Sequence, residues 1–276
     1  MRLAIISDVH GNLTALDAVL ADMRATQEGE PEHIVCLGDV AQEGPQPHET
    51  IARLRELGCP VIMGNTDDKL IKRAARLAQP NADTLADASG KLGEEAPSEE
   101  KQRSREVNQW TARQMMPDDL AYLRGFVPTL EVSLGGAEGR RMLLCCHGSP
   151  RSYNDRTEAT TPAEKLETWL AEVDEKRVAV VASGHTHLQM LRRYRNLTLL
   201  NPGSVGLPLI ETAQGEFRLL PCAEYAILTY REGQPGLRIE LRRVPYDVEA
   251  VIAAYLASGM PHAEEMAADW RGIAGR

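Results

Sequence analysis

Three apolar runs and two helical segments alternate in the first 65 residues, and this alternation restricts the possible folds more than any other feature. The runs are RLAIISD, HIVCLGD and PVIMGN, at 2–8, 33–39 and 60–65. Two segments with the 3.6-residue spacing of amphipathic helices separate them, at 12–26 and 46–58. Asn12 stands where the first of these helices needs an N-cap. Because apolar runs without polar alternation are typical of strands buried on both faces, the order predicts a largely parallel sheet covered by helices.

The rest of the chain divides into a helix-prone stretch and a second series of strands. The polar and charged stretch at 68–126 predicts a helical insertion over one edge, with a solvated loop at 89–104 and a new helix from Ser98 or Glu99. Further strands are predicted, two of them flanking a hairpin at 135–140, the others at 178–187, 197–205, 224–230 and 237–244. Helices are predicted near 162–173, 247–259 and 261–276. Since no linker or repeat interrupts the chain, we expect a single domain over 1–276 with an insertion at about 68–126.

The composition narrows the classes of partner. The chain has 276 residues, of which 43% are hydrophobic, and its net charge of −9 argues against a nucleic-acid backbone or a membrane surface as the main partner. A small phosphorylated substrate is compatible with this charge, because a bound metal ion reverses the local sign. No apolar run approaches the roughly 18 residues of a transmembrane helix, and the N-terminal run is too short for a signal peptide. The composition does not indicate the oligomeric state.

The cysteines predict a reducing compartment. Their number is odd and no CxxC pair is present. The five residues are Cys36, Cys59, Cys145, Cys146 and Cys222. We therefore expect free thiols in a cytoplasmic protein, and no thiolate metal site.

Polar side chains end five of the predicted strands. The five ends read DVH, GD, GN, HG and GHTH, at 8–10, 38–39, 64–65, 147–148 and 184–187. In an open α/β sheet, ligands bind at the carboxyl ends of the strands. Each Asp, Asn or His residue in these motifs, taken singly, has an ordinary explanation as a helix cap or a turn residue. Seven potential ligands at five strand ends are better explained by a shared site.

Seven ligands are more than one ordinary metal ion uses, so the pattern predicts two metal ions with a bridging carboxylate. A mixture of Asp, Asn and His without Cys suits Mn²⁺, Fe, Zn²⁺ or Ni²⁺ rather than a thiolate zinc site or an all-oxygen calcium site. Two such ions about 3.5–4 Å apart form the usual clamp for in-line attack on phosphorus.

The ordered series of motifs resembles the calcineurin-like metallophosphoesterase superfamily, and within it the small bacterial and archaeal phosphodiesterase-like members. HGSPR at 147–151, NPGSVG at 201–206 and the ending VPYDVEAVIAAYLASGMP at 244–261 strengthen the resemblance. The resemblance implies a four-layer α/β/β/α sandwich of two mixed sheets. It also implies a binuclear, manganese-preferring phosphoesterase in which metal-activated hydroxide attacks a small phosphodiester or phosphomonoester.

The resemblance assigns a role to each candidate residue. It implies that the first metal is held by Asp8, His10 and His187, the second by Asn65, His147 and His185, and that Asp39 bridges the two. Catalytic roles are predicted for Asp39, Asn65 and His147. Contact with the substrate phosphate is predicted for Asn12, Asn65 and Arg151.

Thr66 departs from the pattern of the superfamily. Many members carry histidine after the GN pair, where it protonates the leaving group or contacts the phosphate. The hydroxyl of Thr66 puts efficient acid catalysis in doubt, since a positioned acid contributes typically about 10²–10⁴-fold. The next residue, Asp67, is either a hydrogen-bond acceptor that supports the ligands or a helix N-cap.

Two other functions compete with the phosphoesterase. A protein-interaction scaffold with this fold would have lost part of its ligand set, whereas all seven positions are intact here. A metal-dependent nuclease would carry a basic stripe, and the acidic balance of the chain disfavours one.

Overall fold

The computed structural model describes residues 1–79, 98–135, 142–231 and 236–273. Within these ranges the strands are β1 Arg2–Ile6, β2 His33–Cys36, β3 Thr129–Ser133, β4 Met142–Cys146, β5 Val178–Ala182, β6 Met190–Tyr194, β7 Leu197–Asn201, β8 Leu209–Glu211, β9 Phe217–Leu219, β10 Cys222–Thr229 and β11 Arg238–Pro245. The helices are α1 Leu13–Ala25, α2 Pro47–Leu57, α3 Asn65–Leu77, α4 Glu99–Gln114, α5 Pro117–Arg124, α6 Ala163–Trp169, α7 Val248–Ala257 and α8 Ala263–Arg271.

Two mixed sheets form the centre of the fold, as the resemblance implied. The first has the order β11-β10-β1-β2 and the second the order β3-β4-β5-β7-β6, while β8 and β9 pair as a separate hairpin. In the first sheet only the β1–β2 ladder is parallel, because β10 and β11 return from the end of the chain and pair antiparallel. The three runs of the first 65 residues do pair in parallel, since Val61 also bridges Cys36 in the parallel sense, but the complete sheet is mixed rather than largely parallel. Leu3, Ala4, Ile5 and Ile6 of β1 are all apolar because both faces of the sheet are covered.

Apolar side chains between the two sheets form the inner core. Leu3 and Ile5 from the first sheet pack in one cluster with Leu143, Val180 and Leu200 from the second. All of these side chains are at most 2% exposed. Burial of such a side chain stabilises the fold by about 1.5–3 kcal/mol before conformational entropy is considered, so the contact between the sheets contributes substantially to stability.

Helices cover the outer face of each sheet and complete the four layers. On the first sheet, Leu16 of α1 and Ile51 of α2 pack on Ala4 and Ile6, which point away from the inner core. On the second, Leu166 of α6 packs in a cluster with strand residues of the outer face. The caps agree with the sequence: Asn12 Oδ1 accepts the N–H of Ala15 at the start of α1.

The third apolar run, at 60–65, forms less β-structure than predicted. Val61 and Ile62 form only isolated bridges, to Cys36 and Val127 respectively. The predicted run ended at Asn65, but Asn65 is the first residue of α3 and Gly64 is its N-cap. Three strands were not predicted at all, namely β6, β8 and β9.

The predicted insertion contains three helices among the described residues, α3, α4 and α5. Ser98 caps α4 through its side chain, in agreement with the predicted helix start. Residues 89–97 of the predicted loop lie outside the described residues, as does the 136–140 part of the predicted hairpin, although its flanking strands β3 and β4 do pair antiparallel. Val107 of α4 packs with Tyr255 of α7 and Trp270 of α8, which connects the insertion to the end of the chain. No helix in the described ranges is long and apolar enough to cross a membrane.

Candidate metal centre

The strand ends converge at one edge of the sandwich and bring the predicted ligands together. Asp8 and His10 follow β1, Asp39 follows β2, His147 follows β4, and His185 and His187 follow β5. The structure gathers them into a first group of Asp8, His10 and His187 and a second group of Asp39, His147 and His185. Within each group the candidate ligand atoms all lie within 4.8 Å of one another.

The first group is compact. His187 Nε2 lies 3.3 Å from Asp8 Oδ1 and 3.1 Å from His10 Nε2. His10 Nε2 lies 3.9 Å from the same Asp8 oxygen. Asp8 and His10 are buried, whereas His187 is partly exposed and so marks the open side of this group.

The second group includes a fourth side chain, Asn65, at the N-terminus of α3. One atom of its amide lies 3.0 Å from His147 Nε2, 2.8 Å from His185 Nδ1 and 3.2 Å from Asp39 Oδ2. Asn65 is 7% exposed, so its amide is held inside the cluster. The structure therefore brings all seven predicted metal ligands to one place.

Asp39 lies between the two groups. Its Oδ2 atom is 3.3 Å from His147 Nε2 and 3.9 Å from His10 Nε2, so a single oxygen faces a histidine of each group. Its other oxygen, Oδ1, accepts the backbone N–H of Thr66 at 2.9 Å. This second bond fixes the carboxylate so that Oδ2 points into the cluster.

Backbone carbonyls fix the orientation of three of the histidines. The Nδ1 atoms of His10, His147 and His187 lie 2.7–2.9 Å from the carbonyl oxygens of Gln42, Leu37 and Leu207 respectively. A ring that donates through Nδ1 presents the lone pair of Nε2 to the cluster. His185 differs, because its Nδ1 atom faces inward.

The backbone at the ligand positions is strained. Asp8, His10, Asp39, His185 and His187 all have φ between 47° and 67°, in the left-handed region that residues with a Cβ rarely adopt. Only three other non-glycine residues in the described part of the chain have positive φ. Such strain persists where the surrounding structure imposes it, and it is concentrated at functional sites.

Two glycines and one buried carboxylate hold this backbone in place. A Cβ on Gly64 would lie 2.1 Å from Asp39 Oδ1, and one on Gly184 would lie 2.6 Å from Asp8 Oδ2, so neither position has room for a side chain. Asp67 accepts the backbone N–H groups of Asp39, Val40 and Gly64 at 2.8–3.1 Å. Asp67 therefore supports the bridging loop, as one interpretation of the sequence predicted. The other interpretation was wrong, because the N-cap of α3 is Gly64 and Asp67 is the third helical residue, whose carboxylate accepts the N–H of that N-cap.

The charges of the cluster follow from burial and proximity. Burial opposes ionisation of Asp8 and Asp39, but His187 and His147 respectively hold the pKa of each carboxyl below its ordinary value. Burial also opposes protonation of His147, yet Asp39 raises its pKa to about 9. Burial and the neighbouring His147 lower the pKa of His185 to about 4. Without a metal, Asp39 and His147 thus form an ion pair that holds a proton at neutral pH, whereas His185 is uncharged.

The donor set fits divalent transition metal ions. When His10 and His187 both donate through Nδ1, their Nε2 lone pairs face each other at 3.1 Å, and this arrangement is favourable only with a cation or proton between them. The donors are imidazole nitrogens, carboxylate oxygens and an amide oxygen, and no thiolate takes part. This chemistry suits Mn²⁺, Fe, Zn²⁺ or Ni²⁺.

The residues predicted to contact phosphate have different environments. Asn12 is buried, and its amide caps α1 and donates to the carbonyl of Gly206 at 3.1 Å, which leaves one N–H for any further partner. Arg151 is exposed and lies 3.5 Å from Asp155. Phosphate contact by either residue stays a prediction.

Thr66 is not an exposed counterpart of the usual histidine. The residue is 7% exposed, and its hydroxyl has no hydrogen-bond partner among the described residues. Its backbone N–H, rather than its side chain, serves the centre by holding Asp39.

Several supporting residues were not identified from the sequence. Ser204 Oγ donates to the carbonyl of Asp8 at 2.7 Å, and Asn201 Nδ2 donates to the carbonyl of Gly184 at 2.8 Å. Lys69 Nζ lies 3.2 Å from the outer atom of the Asn65 amide. Ser204 and Asn201 belong to the NPGSVG motif, which the sequence analysis used only as part of the resemblance to the superfamily. For Lys69 the only signal was its spacing of one helical turn from Asn65.

Comparison with known proteins agrees with the fold. Residues 1–232 match the family described as the calcineurin-like phosphoesterase superfamily domain. An uncharacterised protein of Methanocaldococcus jannaschii is 24% identical over 272 residues, which cover 94% of this chain and 93% of that protein. A metallophosphoesterase from Sphaerobacter thermophilus superposes with a TM-score of 0.66 at 24% identity and 98% coverage of both chains. A hypothetical protein from Pyrococcus horikoshii gives a TM-score of 0.73 at 20% identity, with 97% and 96% coverage.

A sandwich with two clusters of carboxylate and imidazole groups at its edge is the architecture of a metal-dependent hydrolase. The chain belongs to the calcineurin-like phosphoesterase superfamily, whose domain spans 232 of its residues.

Proposed function

We propose that the protein is a phosphoesterase that uses two metal ions, with Mn²⁺ as the first candidate and Fe, Zn²⁺ or Ni²⁺ as the others. Asp8, His10 and His187 would hold one ion, Asn65, His147 and His185 the other, and Asp39 both. The observation that carries the proposal is the position of Asp39 Oδ2, 3.3 Å and 3.9 Å from a histidine of each group. When bound, such ions lower the pKa of water and neutralise the oxygens of a phosphoryl group.

The chain itself contributes orientation and charge. The carbonyls of Gln42, Leu37 and Leu207 hold three imidazoles with Nε2 inward. The backbone N–H groups of Thr66 and His185 hold the carboxylates of Asp39 and Asp8 in the same way. Because these supports exist before a ligand arrives, little reorganisation is needed at the moment of reaction.

The substrate we propose is a small phosphodiester or phosphomonoester with a good leaving group. The support is the environment of Thr66, whose buried hydroxyl cannot replace the imidazole that protonates a leaving group in many members. Without that acid, the rate should depend steeply on the pKa of the leaving group. The five free thiols favour a reducing compartment, so we place the reaction in the cytoplasm.

The test is a series of aryl and alkyl phosphate esters, both mono- and diesters, assayed with protein of measured metal content. We expect near two transition-metal ions per chain after reconstitution, good turnover of p-nitrophenyl esters and poor turnover of alkyl esters. A metal content that stays at or below one ion per chain would contradict the two-metal proposal. A flat dependence of kcat/KM on leaving-group pKa, with chemistry rate-limiting, would show that another acid is in place. Metal uptake without hydrolysis of any ester would favour the scaffold alternative.

A further inference from the structure

Lys69 reaches the candidate metal centre from the second turn of α3. It follows Asn65 by four residues, so the two side chains lie on the same face of the helix. Lys69 is exposed, yet its Nζ atom lies only 3.2 Å from the outer atom of the Asn65 amide. No carboxylate of the described residues forms an ion pair with Lys69, whereas Lys72, three residues on, pairs with Asp68 at 2.6 Å.

The Asn65 amide fits its space in two orientations, because its oxygen and nitrogen are interchangeable in shape. In one, nitrogen faces inward and donates its two N–H groups to Asp39 Oδ2 and His185 Nδ1, while oxygen accepts from Lys69 Nζ. In the other, oxygen faces inward and nitrogen faces Lys69. The metal-free protein favours the first orientation, because the second places the oxygen against Asp39 Oδ2 and His185 Nδ1 and the nitrogen against Lys69 Nζ.

A metal ion in the second group reverses this preference. Asn65 can act as a ligand only through its oxygen, since an amide nitrogen has no free lone pair for a cation. With the oxygen inward, Asn65 Nδ2 and Lys69 Nζ lie 3.2 Å apart. Both groups are donors without acceptor capacity, so neither can satisfy the other. The two N–H groups then need an acceptor beside them, and an anionic oxygen would accept from both.

We propose that Lys69 Nζ and Asn65 Nδ2 form an anion site, the donor pair, which binds a non-bridging oxygen of the substrate phosphoryl group once Asn65 has turned to its metal-facing orientation. This inference rests on the proposed function. The donor pair couples metal binding to phosphate binding, because the metal frees the donors that the phosphate uses. Coupling of this kind is reciprocal: bound phosphate raises the affinity for the metal by the same factor by which the bound metal raises the affinity for phosphate.

The experiment measures binding rather than turnover. Isothermal titration calorimetry gives the affinity of inorganic phosphate for the metal-free and the manganese-loaded full-length protein, with wild type, Lys69→Met, Lys69→Arg and Lys72→Met compared. For the loaded protein we expect Lys69→Met to weaken phosphate at least about 10-fold, the lower end for a hydrogen bond to a charged group. Lys69→Arg should recover part of this loss, and Lys72→Met should stay within twofold of wild type. Titration of manganese with and without phosphate measures the reciprocal effect. Phosphate should raise the affinity of the wild type for manganese, and most of this gain should be absent in Lys69→Met.

The outcomes separate this inference from the proposed function. If wild type binds two manganese ions and phosphate, but Lys69→Met binds phosphate within twofold of wild type, the donor pair is wrong and the two-metal proposal stands. Equal losses of phosphate affinity in Lys69→Met and Lys72→Met would show that the effect comes from overall positive charge. That result would also overturn the donor pair. If wild type binds no manganese, the proposed function fails first. Lys69 is exposed, so the variants should fold, and circular dichroism checks this.

Discussion

The two ligand groups differ in how firmly the chain holds them. In the first group, His10 and His187 are both fixed through Nδ1 by backbone carbonyls, and the N–H of His185 holds Asp8. In the second group a carbonyl fixes His147 and the N–H of Thr66 holds Asp39, but His185 turns Nδ1 inward and the Asn65 amide fits its space in two orientations. The first group is therefore the more preorganised for an ion, whereas the second would be completed by the ion that it binds. Under the two-metal proposal the two groups would thus differ in role, the first retaining its ion and the second responding to it.

The largest effect is expected at Asp39, because its loss should remove both metal sites and with them the difference between the two groups. Asp39→Ala removes the oxygen shared by both groups, so both ions should be lost and kcat/KM on an aryl ester should fall by at least about 100-fold. Asp17→Ala is the control, since Asp17 lies on α1, is 42% exposed and pairs with Arg53 at 2.6 Å. Elemental analysis and steady-state kinetics check both variants. Half of wild-type turnover in Asp39→Ala would refute its bridging role.

A pair of histidine variants tests the difference between the groups directly. His187→Ala removes a donor that Leu207 holds in place, whereas His185→Ala removes one that turns Nδ1 inward. We expect His187→Ala to lose the ion of the first group and to retain one ion per chain, in the second group. His185→Ala should retain two, with one weakened by about 10- to 100-fold, the range for disturbed metal sites. Calorimetric titration with Mn²⁺ measures both, and the opposite order would show that the second group is the firmer one.

The release of protons on metal binding gives a further test of the difference between the two groups. His147 has a pKa of about 9 in the metal-free protein, so at pH 7 it holds a proton that a metal must displace. Metal affinity of the second group should therefore rise with pH up to about 9, by about tenfold per pH unit for one proton released. Titration at pH 7 in buffers of different ionisation enthalpy counts the protons. A heat that is independent of the buffer would contradict this assignment.

The smallest effect is expected at Thr66, beside Asn65. Its buried hydroxyl has no partner among the described residues, so Thr66→Val should leave stability unchanged or raise it by about 1 kcal/mol. Thr66→His must fit an imidazole at a position only 7% exposed, and overpacking should cost about 1–3 kcal/mol. Thermal unfolding of metal-loaded protein measures both. A tenfold loss of kcat/KM in a well-folded Thr66→Val would show that the hydroxyl contributes to catalysis.

The sequence predicted most of the fold and the ligand positions because their signals are local. Apolar runs marked the central strands, and each ligand followed such a run directly, as Asp8 follows β1. The environment of Asp67 could not be predicted in the same way, since its acceptors bind N–H groups 27 and 28 residues away. The burial of Thr66 likewise depends on how α3 packs. The strands β6, β8 and β9 were missed because they are short or carry charged residues that alternate with apolar ones.

Five left-handed ligand positions also bear on how this chain can change over evolutionary time. At about 1 kcal/mol each, the strain amounts to about 5 kcal/mol, close to the lower limit of the net stability of a domain. Glycine at any of these positions would relieve its share. A lineage that no longer needed the ions would therefore gain stability by losing its ligands, and loss would be hard to reverse.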